Sequence, residues 1–310
     1  MVTGLDDADA PLPVDELRRQ VAYGWAAFQA TGYAPVTQVL PALLVDASRS
    51  PRYLNGDARR TAYALLSMAY QLACAVTTKL GDHDLAHRAA DRAVTAADRS
   101  EDPVVVTGAA RHLVDAMFHR GEGAAAIAIA SVVAERLEPD LLARGPSGLS
   151  VLGMLHLKAA VAAAHIDDRS AVPDQLDAAK AAADRLRVDG NALWTAFGPT
   201  NVQLHQVSTM VRLDDGPEAV TAADHVDQGA LEALPRERRA NHLVDRALGY
   251  RLAGRREQAV DTLLHAERLA PQEVRSRPAT TRLVAELRLL GVGSAEGRLR
   301  ALAQRCGLPA

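Results

Sequence analysis

The chain has 310 residues, 48 % of them hydrophobic, enough apolar material for a large core, and no long stretch has the composition of a disordered segment. A net charge of −3 and an isoelectric point near 6.4 provide no overall basic field for a polyanion, which argues against direct nucleic-acid binding. Two distant cysteines, Cys74 and Cys306, make neither a disulfide framework nor a metal-type spacing, and no apolar run approaches the ~20 residues of a membrane span.

Strand signals are nearly absent, because β-branched and aromatic residues are scattered and period-two alternation is not sustained; the sequence predicts an all-α protein. In chain order, residues 1–12 are acidic and polar and read as a flexible tail without a leader pattern, which fits a cytoplasmic protein. Pro13–Ala30 and Tyr33–Ala47 read as a helical hairpin, and residues 13–60 as a divergent N-terminal cap. Residues 61–271 read as five hairpin units, with "GPSGLS" (145–150) a loop between two of them and Pro139, Pro235 and Pro271 at unit ends. Residues 272–310 read as C-terminal capping helices: one over Val274–Leu290, and a short last one within "GVGSAEGRLRALAQRCGLPA". No linker divides the chain, so residues 1–310 read as a single helical-repeat domain.

Self-similarity defines the units. "RANHLVDRALGYRLAGRREQAVDTLLHAERLAP", Arg239 to Pro271, has small Ala247, aromatic Tyr250, small Ala259, large Leu263, small Ala266 and a closing Pro271, which is the tetratricopeptide pattern. Small residues let two antiparallel helices approach, and the large ones fill the gap between neighbouring hairpins. In that register Ala86, Ala126, Ala171, Ala219 and Ala259 open the second helices, roughly 40–48 residues apart against ~34 in a standard repeat. The predicted fold is therefore tetratricopeptide-like helical hairpins stacked in a right-handed superhelix.

The first helix of each stacked hairpin lines the concave side. Its groove-facing positions are Arg111, His112, Asp115 and His119 in one unit, His156 in the next, Asn201, His205, Ser208 and Arg212 in a third, and Asn241, Asp245 and Arg251 in a fourth. A face that only packs has no use for such polar side chains, since a buried polar group without a partner costs on the order of 1–3 kcal/mol. Gly198 and Pro199 suit the N-cap and first residue of the third unit's lead helix. Trp194 and Phe197 then lie in the connection that enters the groove, as pocket walls or as a staple onto the preceding hairpin. In this reading Arg111, Arg212 and Arg251 bind acidic groups and the two aromatic residues bury apolar ones.

The sequence gives no basis for a catalytic residue, metal or cofactor assignment. "HDLAH" (83–87) has the i, i+4 spacing of two ligands but no third and no glutamate, and reads as a solvated helix start. Gly-rich phosphate loops, nucleophile elbows and dinucleotide fingerprints are all missing. His112, Asp115 and His119 share a helix face and read as a satisfied structural network or a ligand clamp before a proton relay.

"YQLACAVTTKLGDHDLA" (70–86), "DGNALWTAFGPTNV" (189–202) and "ERLAPQEVRSRP" (267–278) resemble the tetratricopeptide-like portion of actinobacterial helix-turn-helix (Xre-type) transcriptional regulators, over about Leu12 to Leu290. The resemblance implies a sensor that binds a ligand or peptide and controls an N-terminal DNA-binding domain. Only about ten residues precede "PLPVDELRR", so no direct nucleic-acid binding by this chain is expected. The functions carried forward are a regulatory module whose groove holds a small molecule or short peptide, a scaffold for a partner protein or a second copy of the chain, and an enzyme on a repurposed repeat scaffold.

Overall fold

Abundant alanine and leucine, interrupted by Gly, Pro and Asp at regular intervals, produce helices of about one to seven turns, most of which hide one face. The computed structural model describes residues 12–309; the predicted tail over residues 1–12 lies almost entirely outside them. Among the described residues the regular elements are α1 (Val14–Gln29), α2 (Tyr33–Tyr53), α3 (Gly56–Leu80), α4 (His83–Asp98), α5 (Pro103–His119), α6 (Gly123–Ala143), α7 (Pro146–His165), α8 (Ala171–Leu186), α9 (Pro199–Arg212), α10 (Gly216–Asp224), α11 (Gln228–Ala233), α12 (Arg236–Leu252), α13 (Arg256–Leu269), α14 (Pro271–Arg275), α15 (Pro278–Leu290) and α16 (Glu296–Arg305). Successive helices pack as antiparallel pairs, α1/α2, α3/α4, α5/α6, α7/α8, α9/α10 and α12/α13, in a tetratricopeptide-like helical-repeat array.

One turn closes all six hairpins. Thr31, Gly81, Gly121, Asp167, Asp214 and Gly254 are left-handed, and the N–H that follows each donates back to the carbonyl five residues earlier. These bonds, such as Gly32 to Ala27, Asp168 to Ala163 and Arg255 to Tyr250, are 2.8–3.0 Å long, the backbone signature of a Schellman C-cap. Five residues after each left-handed position comes a buried small or β-branched residue: Val36, Ala86, Ala126, Val172, Ala219 and Ala259. The fourth copy is thus Val172, not Ala171, which is only half-buried; the alignment slips by one where Asp167 replaces the marker glycine. The N-terminal hairpin carries the same turn, disguised by Thr31.

Proline placement also differs from the expectation. Pro139 lies inside α6, where its ring is exposed and the carbonyl it releases can be hydrated. Pro235 and Pro271 begin helices rather than end them, and Pro146 does the same for α7, so only Gly145 of "GPSGLS" stays outside a helix. Pro278 splits the single helix expected over Val274–Leu290 into α14 and α15, because it lacks the N–H a continuing helix needs. Helix α7 is the exception to the absence of apolar spans: its 20 residues are long and apolar enough to cross a membrane. It is instead the central helix of the array, packed against α5, α6, α8 and α9.

The array closes on itself. Helix α1 touches α12; the Tyr33 and Ala34 amides donate to Gln272 Oε1 at 2.8 and 3.2 Å; and the Tyr33 hydroxyl donates to the fully buried Glu273 carboxylate. Lys79, at the end of α3, reaches Glu237 at 2.7 Å and Glu273 at 2.6 Å. The first two hairpins therefore meet α12 and α14 through buried charge, and the concave groove becomes a chamber.

Candidate functional site

Lead helices present one face each to the chamber. The i, i+3, i+4, i+7 rows 111/112/115/118/119 on α5, 201/204/205/208/212 on α9 and 237/238/241/242/245 on α12 line a cavity of about 180 Å³ together with parts of α1, α3, α7 and α15. Of the sequence-predicted residues, Arg111, His112, Asp115, His119, Trp194, Asn201, His205, Ser208, Arg212, Asn241 and Asp245 are brought together there. Three are not. His156 turns away and pairs through Nδ1 with Gln175 Oε1 of α8 at 2.8 Å. Arg251 lies beyond the chamber, 3.6 Å from Glu286 of α15. Phe197 is fully buried over Gly153, where even a methyl group would collide with its ring; it is a packing residue.

The predicted start of α9 is seen, with Gly198 at the N-cap and Pro199 first in the helix. The connection before it is unusual, since Arg187, Leu193, Trp194 and Ala196 all have φ between 47° and 64°. Non-glycine residues in that region carry strain of order 1 kcal/mol each, sustained only where surroundings over-determine them. Here α1 supplies the restraint: Gln29 and Asn191 exchange side-chain hydrogen bonds at 3.0 and 2.8 Å, and Gln29 also donates to the Trp194 carbonyl at 3.1 Å. Trp194 is thereby laid flat on Trp25 of α1, with ring centroids 5.4 Å apart and planes 8° from parallel. The only two tryptophans of the chain form this one wall.

Sequence reasoning missed Trp25, Lys79, Lys158, Glu237, Arg238, His242, Arg277 and Arg282, which also line the chamber. A signal was present for two of them. In a chain whose basic residues are almost all arginine, Lys79 and Lys158 are two of only three lysines, and both are pinned by carboxylates, Lys158 to Asp115 at 2.5 Å.

The lining is polar and net positive. Lys79, Arg111, Lys158, Arg212, Arg238, Arg277 and Arg282 face Asp115, Glu237 and Asp245. Burial opposes ionisation of Asp115, but the charge and hydrogen bond of Lys158, with the nearby His119 and His112 rings, together outweigh it and hold the carboxyl well below its usual range. Glu237 follows the same logic with Lys79 and Arg238. Burial lowers the imidazole pKa values of His112, of His205 to about 3 and of His242 to about 4, so these rings are neutral at pH 7. Burial, followed by the charge of Arg238, pushes Arg111 down to about 10. Arg111 is 3 % exposed and makes no ion pair or side-chain hydrogen bond among the described residues; its Nε is buried without a partner. At the rim, His83 and His119 stack with centroids 4.8 Å apart and border both the chamber and an outer depression with Asp82, Asp84 and Arg120.

No protein-family model matches the chain, and no curated protein matches its sequence. Among solved structures it is similar to a Rap protein in complex with competence and sporulation factor, with a TM-score of 0.56 and 11 % identity, over 95 % of this chain and 86 % of that one. The two chains share a fold. At that identity the likeness establishes the helical-repeat architecture, and the chemistry of the site rests on this chain's own residues.

Proposed function

We propose that the protein is a cytoplasmic regulatory binding module that encloses a small molecule within its repeat array. The observation that carries this reading is Arg111, a buried guanidinium with no partner of its own, facing a chamber roofed by two tryptophans. Buried polar groups in folded proteins are otherwise almost always satisfied, so an unsatisfied charge at a cavity wall points to an occupant. A chamber of about 180 Å³ is below the roughly 300–1,000 Å³ of drug-sized sites, which favours a compact ligand. Occupancy would favour the closed arrangement by the ligand's differential affinity for closed over open. That curvature change is the signal offered to a partner protein, as in the sensor halves of the regulators the sequence resembles.

A second reading is favoured by the fold neighbour, which holds a factor in its complex: the ends part and the groove accepts a short peptide or a segment of a partner protein. Native mass spectrometry of protein isolated from its host distinguishes the two. A small non-covalent adduct, lost on denaturation, is expected. A bare chain whose tryptophan emission is also unmoved by a dialysable host extract would overturn the small-molecule reading.

A further inference from the structure

Within that chamber, and resting on the reading of it as a ligand site, we infer that the ligand is an organic oxyanion whose charged head is bound between Arg111 of α5 and Arg238 of α12. Nearby carboxylates are committed elsewhere. Asp115 is held by Lys158 at 2.5 Å. Glu237 is ion-paired with Lys79 at 2.7 Å and accepts from Asn241 Nδ2 at 2.5 Å, and its ion pair with Arg238 Nε is loose, at 3.6 Å, beyond hydrogen-bond range. Arg111 is thus left without an anion of its own, and Arg238, which lines the same chamber, has only its loose contact with Glu237. Burial and mutual repulsion both disfavour that arrangement, and an oxyanion relieves both, since a guanidinium fork matches two oxygens of a carboxylate or phosphate.

The neighbours define more of the ligand. His205 Nδ1 lies 2.9 Å from the Asn201 carbonyl, so it carries the proton and leaves Nε2 as an acceptor. Asn201 Oδ1 is buried without a donor. Both ask for a ligand hydroxyl or N–H beside the anionic head. Trp25 and Trp194 form the apolar wall, suited to a flat or aromatic body. The site therefore fits a compact aryl or unsaturated acid or phosphate, with a hydrogen-bond donor near its charge.

Phenyl phosphate, inorganic phosphate and neutral benzyl alcohol are suitable probes, titrated into the full chain and read by tryptophan emission and melting temperature. Phenyl phosphate is expected to bind most tightly. Arg111→Met and Arg238→Met should each weaken it by about 10- to 100-fold, as loss of a charge-assisted hydrogen bond does. Arg111→Lys, which keeps the charge but not the fork, should recover part of the loss. Circular dichroism confirms that the variants fold. If benzyl alcohol moves the emission as strongly as phenyl phosphate, or the arginine variants bind phenyl phosphate unchanged, the oxyanion inference is wrong while the chamber remains a ligand site. If none of the probes alters emission or melting, both readings fail.

Discussion

Arg111→Met should make the ligand-free protein more stable. Holding this guanidinium in the chamber lowers its pKa from 12.5 to about 10, mainly through burial and then through Arg238. At about 1.4 kcal/mol per tenfold change in proton affinity, the folded state bears a penalty of about 3 kcal/mol for the charge. Methionine retains much of the stem's volume, and such exchanges cost under about 1.5 kcal/mol in packing. The expected net gain is about 1–3 kcal/mol, or roughly 2–4 °C in melting temperature for a chain of this length. Because a base with a depressed folded pKa is penalised at every pH below that value, the gain should be constant from pH 6 to 9 and shrink only as pH rises beyond about 10. Urea unfolding of the two proteins, dialysed exhaustively against ligand-free buffer, measures it. A loss of 2 kcal/mol or more in the variant would show that Arg111 is a structural partner and would remove the basis for treating it as a ligand contact.

Three further outcomes follow from the same geometry. Lys79→Met leaves Glu237 and Glu273 buried with too few cations where α3 meets α12 and α14, and should cost about 3–5 kcal/mol; a loss under 1 kcal/mol in urea melts would mean the junction is solvated or open. His112, His205 and His242 have folded pKa values far below 6.5, so below that pH the unfolded chain binds protons that the folded one refuses. Stability should therefore fall as pH drops from about 6.5 towards 4.5, by up to about 1.4 kcal/mol per pH unit for each ring, and a flat or rising profile between pH 7.5 and 5.5 would contradict their burial as neutral groups. Thr31→Gly should stabilise by about 0.5–1 kcal/mol, because a β-branched residue is strained at φ 64° in the first hairpin turn; a destabilised variant would mean that the turn there is of another type.

Much of the fold could be read from the sequence because it is local: 3.6-residue periodicity, hairpin punctuation and the Arg239–Pro271 unit each lie within a single repeat. The phase of the lead helices was legible too, which is why Arg111, His205 and Asn241 fall in one trough. His156 escaped because α7 is buried almost all round, so polarity at one position did not mark the chamber side. Left-handed Thr31, Asp167 and Asp214 hid repeat boundaries that glycine marks elsewhere. Closure was illegible for a different reason. Tyr33, Lys79, Glu237 and Glu273 are far apart in the chain and follow no period, and the only hint was a lysine in an arginine-rich sequence. Trp25 and Trp194 meet for the same long-range reason, through a connection whose conformation no propensity favours.

All functional conclusions depend on the ends of the array meeting in solution. Small-angle X-ray scattering of the wild-type protein tests this without a mutation or a probe. A closed array of 310 residues should have a radius of gyration of about 20 Å, the value for a compact chain of that length. A markedly larger radius, with the elongated distance distribution of an open superhelix, would show that there is no enclosed chamber for a ligand to occupy.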